Sequence, residues 1–244
     1  MTRHARRQPH LPFPLPAPEV RCGDAFKWLA GIRSESVDLV ITDPPYSTLE
    51  RHRAWGTTTR LKRAWFPVIQ PDAYPHLLAE LYRILKPDTH CYLFADAETM
   101  FVVKPVAEGA GFRFWKPLVW DRVMLGLGYH YRARYEFIMF FSKGTRTLNS
   151  RSYPDVLGFK QSRRKDRYPT EKPVELLRVL VEQSSDPRDV VVDPFCGGGS
   201  TGVAATSMGR EFRGCDVSPD AVARTIAGVR GALKVACAAR AQNQ

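Results

Sequence analysis

Short runs of β-branched and apolar residues alternate along the chain with longer segments in which apolar residues recur every three or four positions. The run at 37–42 is short and rich in Val and Ile, which predicts a buried strand. The segment 73–85 places Leu77, Leu78 and Leu81 on one face, which predicts an amphipathic helix. Repeated alternation of the two patterns predicts one α/β domain, with a mostly parallel sheet covered by helices on both faces.

The same patterns give an order of elements for most of the chain. Strands are predicted at 19–21, 37–42, 91–95, 112–120, 136–141, 190–192 and 211–215. Helices are predicted at 73–85, 98–108, 173–183, 201–208 and 219–235. Sheets of this kind bind ligands at the carboxyl ends of their strands. Asp43, Asp193 and Asp216 follow three of these strands and are therefore expected on one rim of the sheet.

The chain has 244 residues, which is enough for a single domain with a full core. Residues 1–18 are basic and rich in proline, and they are predicted to form an extended arm that is neither a signal peptide nor a membrane anchor. The domain is assigned to 19–237 and a short tail to 238–244. Surface loops are expected at 47–66, 122–134 and 145–168.

The formal net charge of +11 and the isoelectric point near 9.6 favour a polyanionic partner. Basic residues in the three loops stand among aromatic residues and glycines, a mixture that suits phosphate contact and base stacking. A solvated charged surface without a partner is the alternative for any one loop. The nucleic-acid contacts are assigned to Arg51, Arg53, Lys62, Arg63, Arg163, Arg164 and Lys165.

The five cysteines show no C-x-x-C spacing and no histidine at metal-ligand spacing, so no metal site is predicted. We therefore expect a reduced, cytoplasmic setting for this protein. Disulfides are rare there, so the cysteines are expected to be unpaired.

Asp43, Pro44, Pro45 and Tyr46 directly follow the predicted strand 37–42 and together suit chemistry at an exocyclic amino nitrogen. The two prolines exclude helix and enforce a rigid, extended turn. The Asp43 carboxylate and the Pro44 carbonyl can accept the two hydrogens of an NH2 group and stabilise the positive charge that develops as the nitrogen is alkylated. Tyr46 can stack on the face of the same ring. For the isolated tetrapeptide, the alternative is a proline-rich turn with an exposed tyrosine.

A second candidate site follows the valine-rich strand that ends in Asp193. Strand, glycine turn at 197–199, helix, strand and the terminal acid Asp216 make up a nucleotide-binding βαβ unit, in which the acid would bind ribose hydroxyls. Ser200 or Thr201 is expected to cap the helix. The turn does not match G-x-G-x-x-G, and Asp193 would attract a ligand with an ammonium group and repel a pyrophosphate. A purely structural glycine turn is the alternative.

The two motifs, in this order, resemble those of the amino-group DNA methyltransferases of the permuted β order, in which DPPY precedes DPFxGxG. The resemblance spans about residues 19 to 230. Its supporting segments are Gly23-Asp24-Ala25, Trp120-Asp121-Arg122 with Gly126-Leu127-Gly128, Tyr135-Glu136-Phe137-Ile138, and Thr170-Glu171-Lys172-Pro173. Gly198 stands where the family usually has serine. The chain also has no long separate target-recognition domain, so the resemblance does not say how a DNA sequence is recognised.

The resemblance implies a single-domain Rossmann-like fold that uses S-adenosylmethionine, with a mostly parallel sheet and an antiparallel edge strand. It implies methylation at N6 of an adenine flipped out of duplex DNA, with Asp43, Pro44, Pro45 and Tyr46 at the catalytic site. The residues it assigns to the cofactor are Asp24, Ala25, Lys172, Asp193, Phe195, Gly197, Gly199, Ser200, Thr201 and Asp216.

Three alternatives stay open at this point. The same site can methylate N4 of cytosine, although the family's cytosine enzymes more often carry serine in place of Asp43. A DNA-binding subunit without activity would not need an intact tetrapeptide at 43–46. An amino-group methyltransferase of RNA or protein is the third. The resemblance is compatible with a homodimer and with a cognate restriction enzyme as partner, and no membrane partner is expected.

Overall fold

The computed structural model describes residues 16–48, 67–126, 130–161, 168 and 171–241. The strands in this part of the chain are β1 (Glu19–Cys22), β2 (Val37–Thr42), β3 (Leu85–Ala95), β4 (Arg113–Asp121), β5 (Tyr135–Lys143), β6 (Val156–Gly158), β7 (Val190–Asp193) and β8 (Glu211–Asp216). The α-helices are α1 (Ala25–Ala30), α2 (Tyr74–Ile84), α3 (Ala97–Gly109), α4 (Val174–Ser184), α5 (Ser200–Ser207) and α6 (Pro219–Ala241). Strands and helices alternate as the apolar pattern predicted, except that β4, β5 and β6 follow one another with no helix described between them.

All eight strands form one sheet in the order β1-β8-β7-β2-β3-β5-β4-β6. The neighbours from β1 to β3 pair in parallel, and β4 pairs in parallel with β6. Strand β5 is antiparallel to both of its neighbours, β3 and β4. The predicted α/β fold with a mostly parallel sheet is therefore confirmed.

The antiparallel strand lies inside the sheet, whereas the family resemblance implied an edge position. The short strand β6 and the strand β4 lie outside it. Ile138 and Met139 of β5 are both fully buried and point to opposite faces, so this strand is covered on both sides of the sheet.

The sheet separates two hydrophobic cores. Within β2, Val40 belongs to the core formed with α1, α2 and α3, whereas Leu39 and Ile41 belong to the core formed with α4, α5 and α6. Strand β7 alternates in the same way, with Val192 on the first side and Val191 on the second. A strand buried on both faces needs a continuous apolar run, which is the pattern that identified both strands.

The structure differs from the predicted elements in four places. Helix α1 was not predicted, and α6 extends to Ala241, six residues past its predicted end. The other two differences are in strands β3 and β6. Strand β3 begins at Leu85, six residues before the predicted start, and Asp88 within it has a φ of 56°. Its Lys-Pro-Asp stretch has the composition of a turn, but pairing with β2 continues past it through a register shift. Strand β6 lies within the predicted loop 145–168 and is only three residues long, which is too short to show a period.

The described part of the chain contains no helix that is long and apolar enough to span a bilayer.

Candidate active site

The two motifs lie side by side at the carboxyl edge of the sheet. Strands β2 and β7 pair in parallel, with Leu39 opposite Val191, so their ends meet although they are far apart in the sequence. There the Thr42 hydroxyl donates a hydrogen bond to Asp193 Oδ1 at 2.9 Å. Asp43 follows Thr42 directly, so the carboxylate of one motif adjoins that of the other. The predicted meeting of the two strand ends is present in the structure.

The turn after β2 is held by bonds on both sides. The Ile69 amide donates to the Pro45 carbonyl at 2.6 Å, and Tyr46 forms a parallel bridge with the same residue. Two residues later, the Thr48 hydroxyl donates to Asp96, the residue that caps α3. In the part of the chain that the structure describes, no backbone amide donates to the Pro44 carbonyl. This carbonyl is therefore left as an acceptor on a rigid turn.

The Asp43 carboxylate has one engaged oxygen and one unengaged oxygen. Lys172 Nζ donates to Oδ2. Oδ1 is buried and has no hydrogen-bond partner among the described residues. Burial raises the pKa of Asp43, and the adjacent ammonium of Lys172 partly opposes this rise. A buried carboxylate with one unsatisfied oxygen can accept a hydrogen bond from a ligand.

Tyr46 stays a neutral phenol under physiological conditions. Burial, followed by the charges of Glu136 and Asp43, raises its pKa well above the ordinary value. A neutral ring beside two carboxylates can pack against a flat aromatic ligand without adding a third negative charge.

The second motif forms a tight turn between β7 and α5. The Phe195 amide donates to Asp193 Oδ1 at 3.1 Å, and the Gly197 amide donates to Asp216 Oδ2 at 2.8 Å. Gly199 has a φ of 86°, and a Cβ at this position would lie 2.7 Å from the Cα of Thr225. Only glycine fits there without strain.

The cap of α5 differs from the prediction. Gly199, in the left-handed region, is the N-cap residue, and no side chain caps the helix. Ser200 and Thr201 are already its first residues, because the glycine turn reverses the chain one position earlier. The Thr201 hydroxyl bonds to Asp193, and Ser200 Oγ is buried without a hydrogen-bond partner among the described residues.

Asp216 joins the glycine turn to the first strand. Its Oδ1 accepts the Ser218 amide at 2.9 Å, and its backbone carbonyl accepts the Gly23 amide at 3.0 Å. Asp24 then caps α1 by accepting the Lys27 amide at 2.9 Å, and Ala25 is buried. The parallel pairing of β1 with β8 thus brings Asp24 and Ala25, both assigned to the cofactor, beside Asp216, the predicted ribose acid.

The chemistry of these groups fits S-adenosylmethionine. A buried acid suits its ammonium group, an acid at the end of the next strand suits ribose hydroxyls, and a glycine turn admits the backbone close to the ligand. The buried hydroxyl of Ser200, which has no partner in the part of the chain that the structure describes, adds a polar group at the same turn.

The resemblance assigned Lys172 to the cofactor, and the structure places this lysine against the acid of the first motif. Its ammonium contacts Asp43 and lies 3.3 Å from Glu136 Oε2. Glu136 was not among the predicted site residues, and only its place in a family-like segment could have indicated it.

Tyr168 was also not predicted as a site residue. It covers the glycine turn, since a Cβ on Gly198 would lie 2.7 Å from the Cβ of Tyr168.

The seven residues assigned to nucleic-acid contact lie outside the described residues, so their assignment stays a prediction. Next to the site, the ends of β4 and β5 are joined by a bond from the Arg122 amide to the Arg134 carbonyl at 2.9 Å. Arg134 pairs with Asp121 at 2.7 Å. Tyr131, beyond this pair, is 96% exposed.

A family model described as DNA methylase, of the N6/N4 type, matches residues 37–227. YubD of Escherichia coli K12, a methylase by name, is 33% identical over 196 residues, which cover 80% of this chain and 82% of that protein. The DNA adenine methyltransferase YhdJ of the same organism is 27% identical over 235 residues, with 81% of this chain and 78% of that protein covered.

Two solved structures share the fold. The M1.HpyAVI–SAM complex has a TM-score of 0.68 and 19% identity, covering 86% of this chain and 98% of that chain. The cytosine-N4-specific PvuII DNA methyltransferase has a TM-score of 0.68 and 18% identity, with 89% of this chain and 91% of that chain covered. The family match covers the strand ends at which both motifs meet. The chain therefore belongs to the N6/N4 family of DNA methylases, which depend on S-adenosylmethionine.

Proposed function

We propose that this protein is a DNA adenine N6-methyltransferase that acts on an adenine flipped out of duplex DNA. The observation that carries the proposal is the buried Oδ1 of Asp43 next in the chain to the carbonyl of Pro44, two oxygens that accept no hydrogen bond from the described residues. An adenine amino group has two hydrogens to donate, and these two oxygens can accept them. Flipping is required because the amine cannot reach a buried site from within the base stack. The relative YhdJ is an adenine methyltransferase by name, which agrees with this choice.

The residues at the turn would act on the amine in three ways. Asp43 and the Pro44 carbonyl orient the nitrogen and localise its lone pair, which is otherwise delocalised into the ring. They also stabilise the positive charge that develops on the nitrogen. Tyr46 holds the face of the base, and Pro45 keeps the turn rigid through its bond to Ile69. S-adenosylmethionine supplies the electrophilic methyl group when it is bound.

We propose that the second motif binds the cofactor. Asp193 would hold the ammonium group, with Phe195, Gly197, Gly199, Ser200 and Thr201 forming the turn around the methionine end. Asp216 would bind the ribose, and Asp24 with Ala25 the adenine. The convergence of these residues at adjacent strand ends supports this assignment.

We expect cofactor affinity to fall as the pH drops through neutrality. Burial raises the pKa of Asp193 to about 7, and bonds from Thr201, the Phe195 amide and Thr42 oppose the rise. The carboxylate form binds an ammonium ligand, and below pH 7 the protonated form predominates. Between pH 8 and pH 6 the affinity should fall by about tenfold. Calorimetric titration with S-adenosylmethionine at several pH values measures this change. Asp193→Asn should bind weakly and lose the pH dependence; an unchanged pH dependence in this variant would contradict the role.

The seven basic residues of the loops are proposed to contact DNA phosphates. The predicted loops 47–66 and 145–168 contain these residues, which are Arg51, Arg53, Lys62, Arg63, Arg163, Arg164 and Lys165. Their charge and the net charge of +11 support binding to a duplex.

Methylation of DNA by the purified protein tests the proposed function. Duplex DNA and single-stranded RNA are each incubated with methyl-labelled S-adenosylmethionine, digested to nucleosides and weighed by mass spectrometry. The expected product is N6-methyldeoxyadenosine, with Asp43→Ala as the negative control. N4-methyldeoxycytidine would support cytosine N4-methylation instead, since the unmodified cytosine amine also has two hydrogens to donate to the same oxygens. Label in RNA alone, or in neither acceptor, would contradict a DNA methyltransferase.

A further inference from the structure

Asp43 is the end member of a row of four charged side chains. Lys172 Nζ donates to Asp43 Oδ2 and lies 3.3 Å from Glu136 Oε2. The other oxygen of Glu136, Oε1, accepts from Arg122 Nη2 at 2.6 Å. In the order Arg122, Glu136, Lys172, Asp43, the charges alternate in sign and cancel. We call these four residues the charge row.

The charge row is largely withdrawn from solvent. Side-chain exposure is 9% for Lys172, 17% for Glu136, 22% for Asp43 and 25% for Arg122. The Lys172 ammonium also lies 5.0 Å from the centroid of the Phe94 ring. A charge removed from water needs a partner, and removal of one partner from such a pair is strongly unfavourable. Each member therefore restrains the position of the next.

One oxygen in the row is close to Lys172 but does not accept its hydrogen bond. Glu136 Oε2 is buried and has no hydrogen-bond partner among the described residues, although it is within ion-pair distance of Nζ. Lys172 therefore donates to Asp43 and has a second carboxylate within reach. A small rotation of the ammonium would transfer the bond from one acid to the other.

We propose that Lys172 and Glu136 are positioning residues for Asp43. Lys172 holds Oδ2 and leaves Oδ1 for the amine, and Glu136 keeps Lys172 in place when Asp43 accepts a proton. This inference rests on the proposed function, because it needs Asp43 to accept the target amine. It assigns Lys172 to the acid of the first motif and away from the methionine end of the cofactor.

The proton released by the methylated amine can be accepted by Asp43, so no further reactant is needed. The methylated amine is cationic and acidic; its N–H bond breaks, the electron pair of that bond stays on nitrogen, and an O–H bond forms at Asp43 Oδ1. Asp43 is then neutral and no longer offsets the charge of Lys172. Glu136, 3.3 Å away, is the remaining counterion of the ammonium. Without Glu136, protonation of Asp43 would leave a buried and unpaired lysine, which is costly.

The ionisation of the row agrees with these roles. Burial alone would lower the pKa of Lys172, but Asp43 and Glu136 outweigh it and the pKa is raised, so the side chain stays charged. Burial raises the pKa of Asp43, with Lys172 opposing the rise, so the acid is a better proton acceptor than an exposed aspartate.

The test separates positioning from cofactor binding. In Lys172→Met, we expect single-turnover methyl transfer at saturating cofactor to fall by about 10- to 100-fold, while the Kd for S-adenosylmethionine stays within about threefold. In an Asp43→Asn background, the same substitution should lower the rate by less than about threefold, because Lys172 acts through Asp43. Glu136→Gln keeps the shape of the side chain and should lower the rate by about 3- to 10-fold, also without a change in Kd.

Lys143→Met provides a matched control. Lys143 is a second buried lysine, at the opposite end of β5 from Glu136, and its Nζ donates to the Leu85 carbonyl at 2.7 Å. This variant should lose thermal stability and keep the wild-type rate per folded molecule. If Lys172→Met does not fold, the rate of methyl transfer by Glu136→Gln tests the inference by itself. A wild-type rate in that variant would overturn the inference.

Two further results would overturn the inference. One is a higher Kd for S-adenosylmethionine in Lys172→Met with an unchanged rate at saturation, which would mean that the lysine binds the cofactor. The other concerns the Asp43→Asn background. If Lys172→Met lowers the rate of methyl transfer there by the same factor as in the wild type, Lys172 acts independently of Asp43. Both are measured against an active wild type. A wild type that methylates no DNA would contradict the proposed function itself.

Discussion

Replacement of Asp43 by alanine is expected to lower the rate of methyl transfer by about 10²- to 10³-fold or more and to leave the Kd for S-adenosylmethionine within about threefold. The variant loses the only carboxylate oxygen of the turn that is buried and unengaged among the described residues. The amine then lacks both the acceptor that orients it and the charge that stabilises the developing cation. Cofactor binding should persist, because Asp193 and the glycine turn are unchanged. Single-turnover transfer of labelled methyl to duplex DNA, together with calorimetric titration, measures both quantities.

Asp38→Ala is the matched control for this experiment. Asp38 lies in β2, the strand that Asp43 follows, and is also paired with a lysine, Lys86, at 2.7 Å, but at the opposite end of the strand. It also accepts the Val190 amide at 2.9 Å, so its loss should lower stability. The transfer rate per folded molecule should stay at the wild-type level. Wild-type transfer by Asp43→Ala would falsify the mechanism.

Gly199→Ala should destabilise the fold and weaken cofactor binding together. An alanine with a φ of 86° is strained, and its Cβ would lie 2.7 Å from the Thr225 Cα, a backbone atom of α6 that cannot rotate away. The left-handed conformation and the forced displacement together should cost about 2–4 kcal/mol. In a domain of this size the melting temperature should fall by roughly 5–15 °C. Affinity for S-adenosylmethionine should fall by at least about tenfold, because the turn that the ligand needs is displaced.

Gly231→Ala is the control, since this glycine lies within α6 and a Cβ there would meet no atom within 4 Å. Alanine is the better helix former, so this variant should be more stable by about 0.5–1 kcal/mol and should bind the cofactor normally. Thermal unfolding and calorimetric titration of both variants make the comparison. Equal stability of the two variants would show that the close approach of Gly199 to Thr225 is unimportant.

The amino-acid sequence by itself determined the elements and the two motifs. Period-two and period-3.6 apolar patterns are local properties of a backbone, so they placed most strands and helices within a few residues. They also placed Asp43, Asp193 and Asp216 on one rim, since all three follow strands of a parallel sheet. The first half of β3 was not predicted, because Lys86-Pro87-Asp88 has the composition of a turn. In the structure, pairing with β2 overrides this local preference.

Only the tertiary structure decided which groups touch. That Thr42 bonds to Asp193, 151 residues away, depends on the adjacency of β2 and β7 in the sheet. The partner of Lys172 could not be inferred from spacing, since a long flexible side chain takes whichever carboxylate the packing brings near it. Glu136 reaches that ammonium only because β5 runs antiparallel inside the sheet. Local periodicity encodes which residues lie on a strand, whereas contacts between distant strands arise from how the whole chain packs.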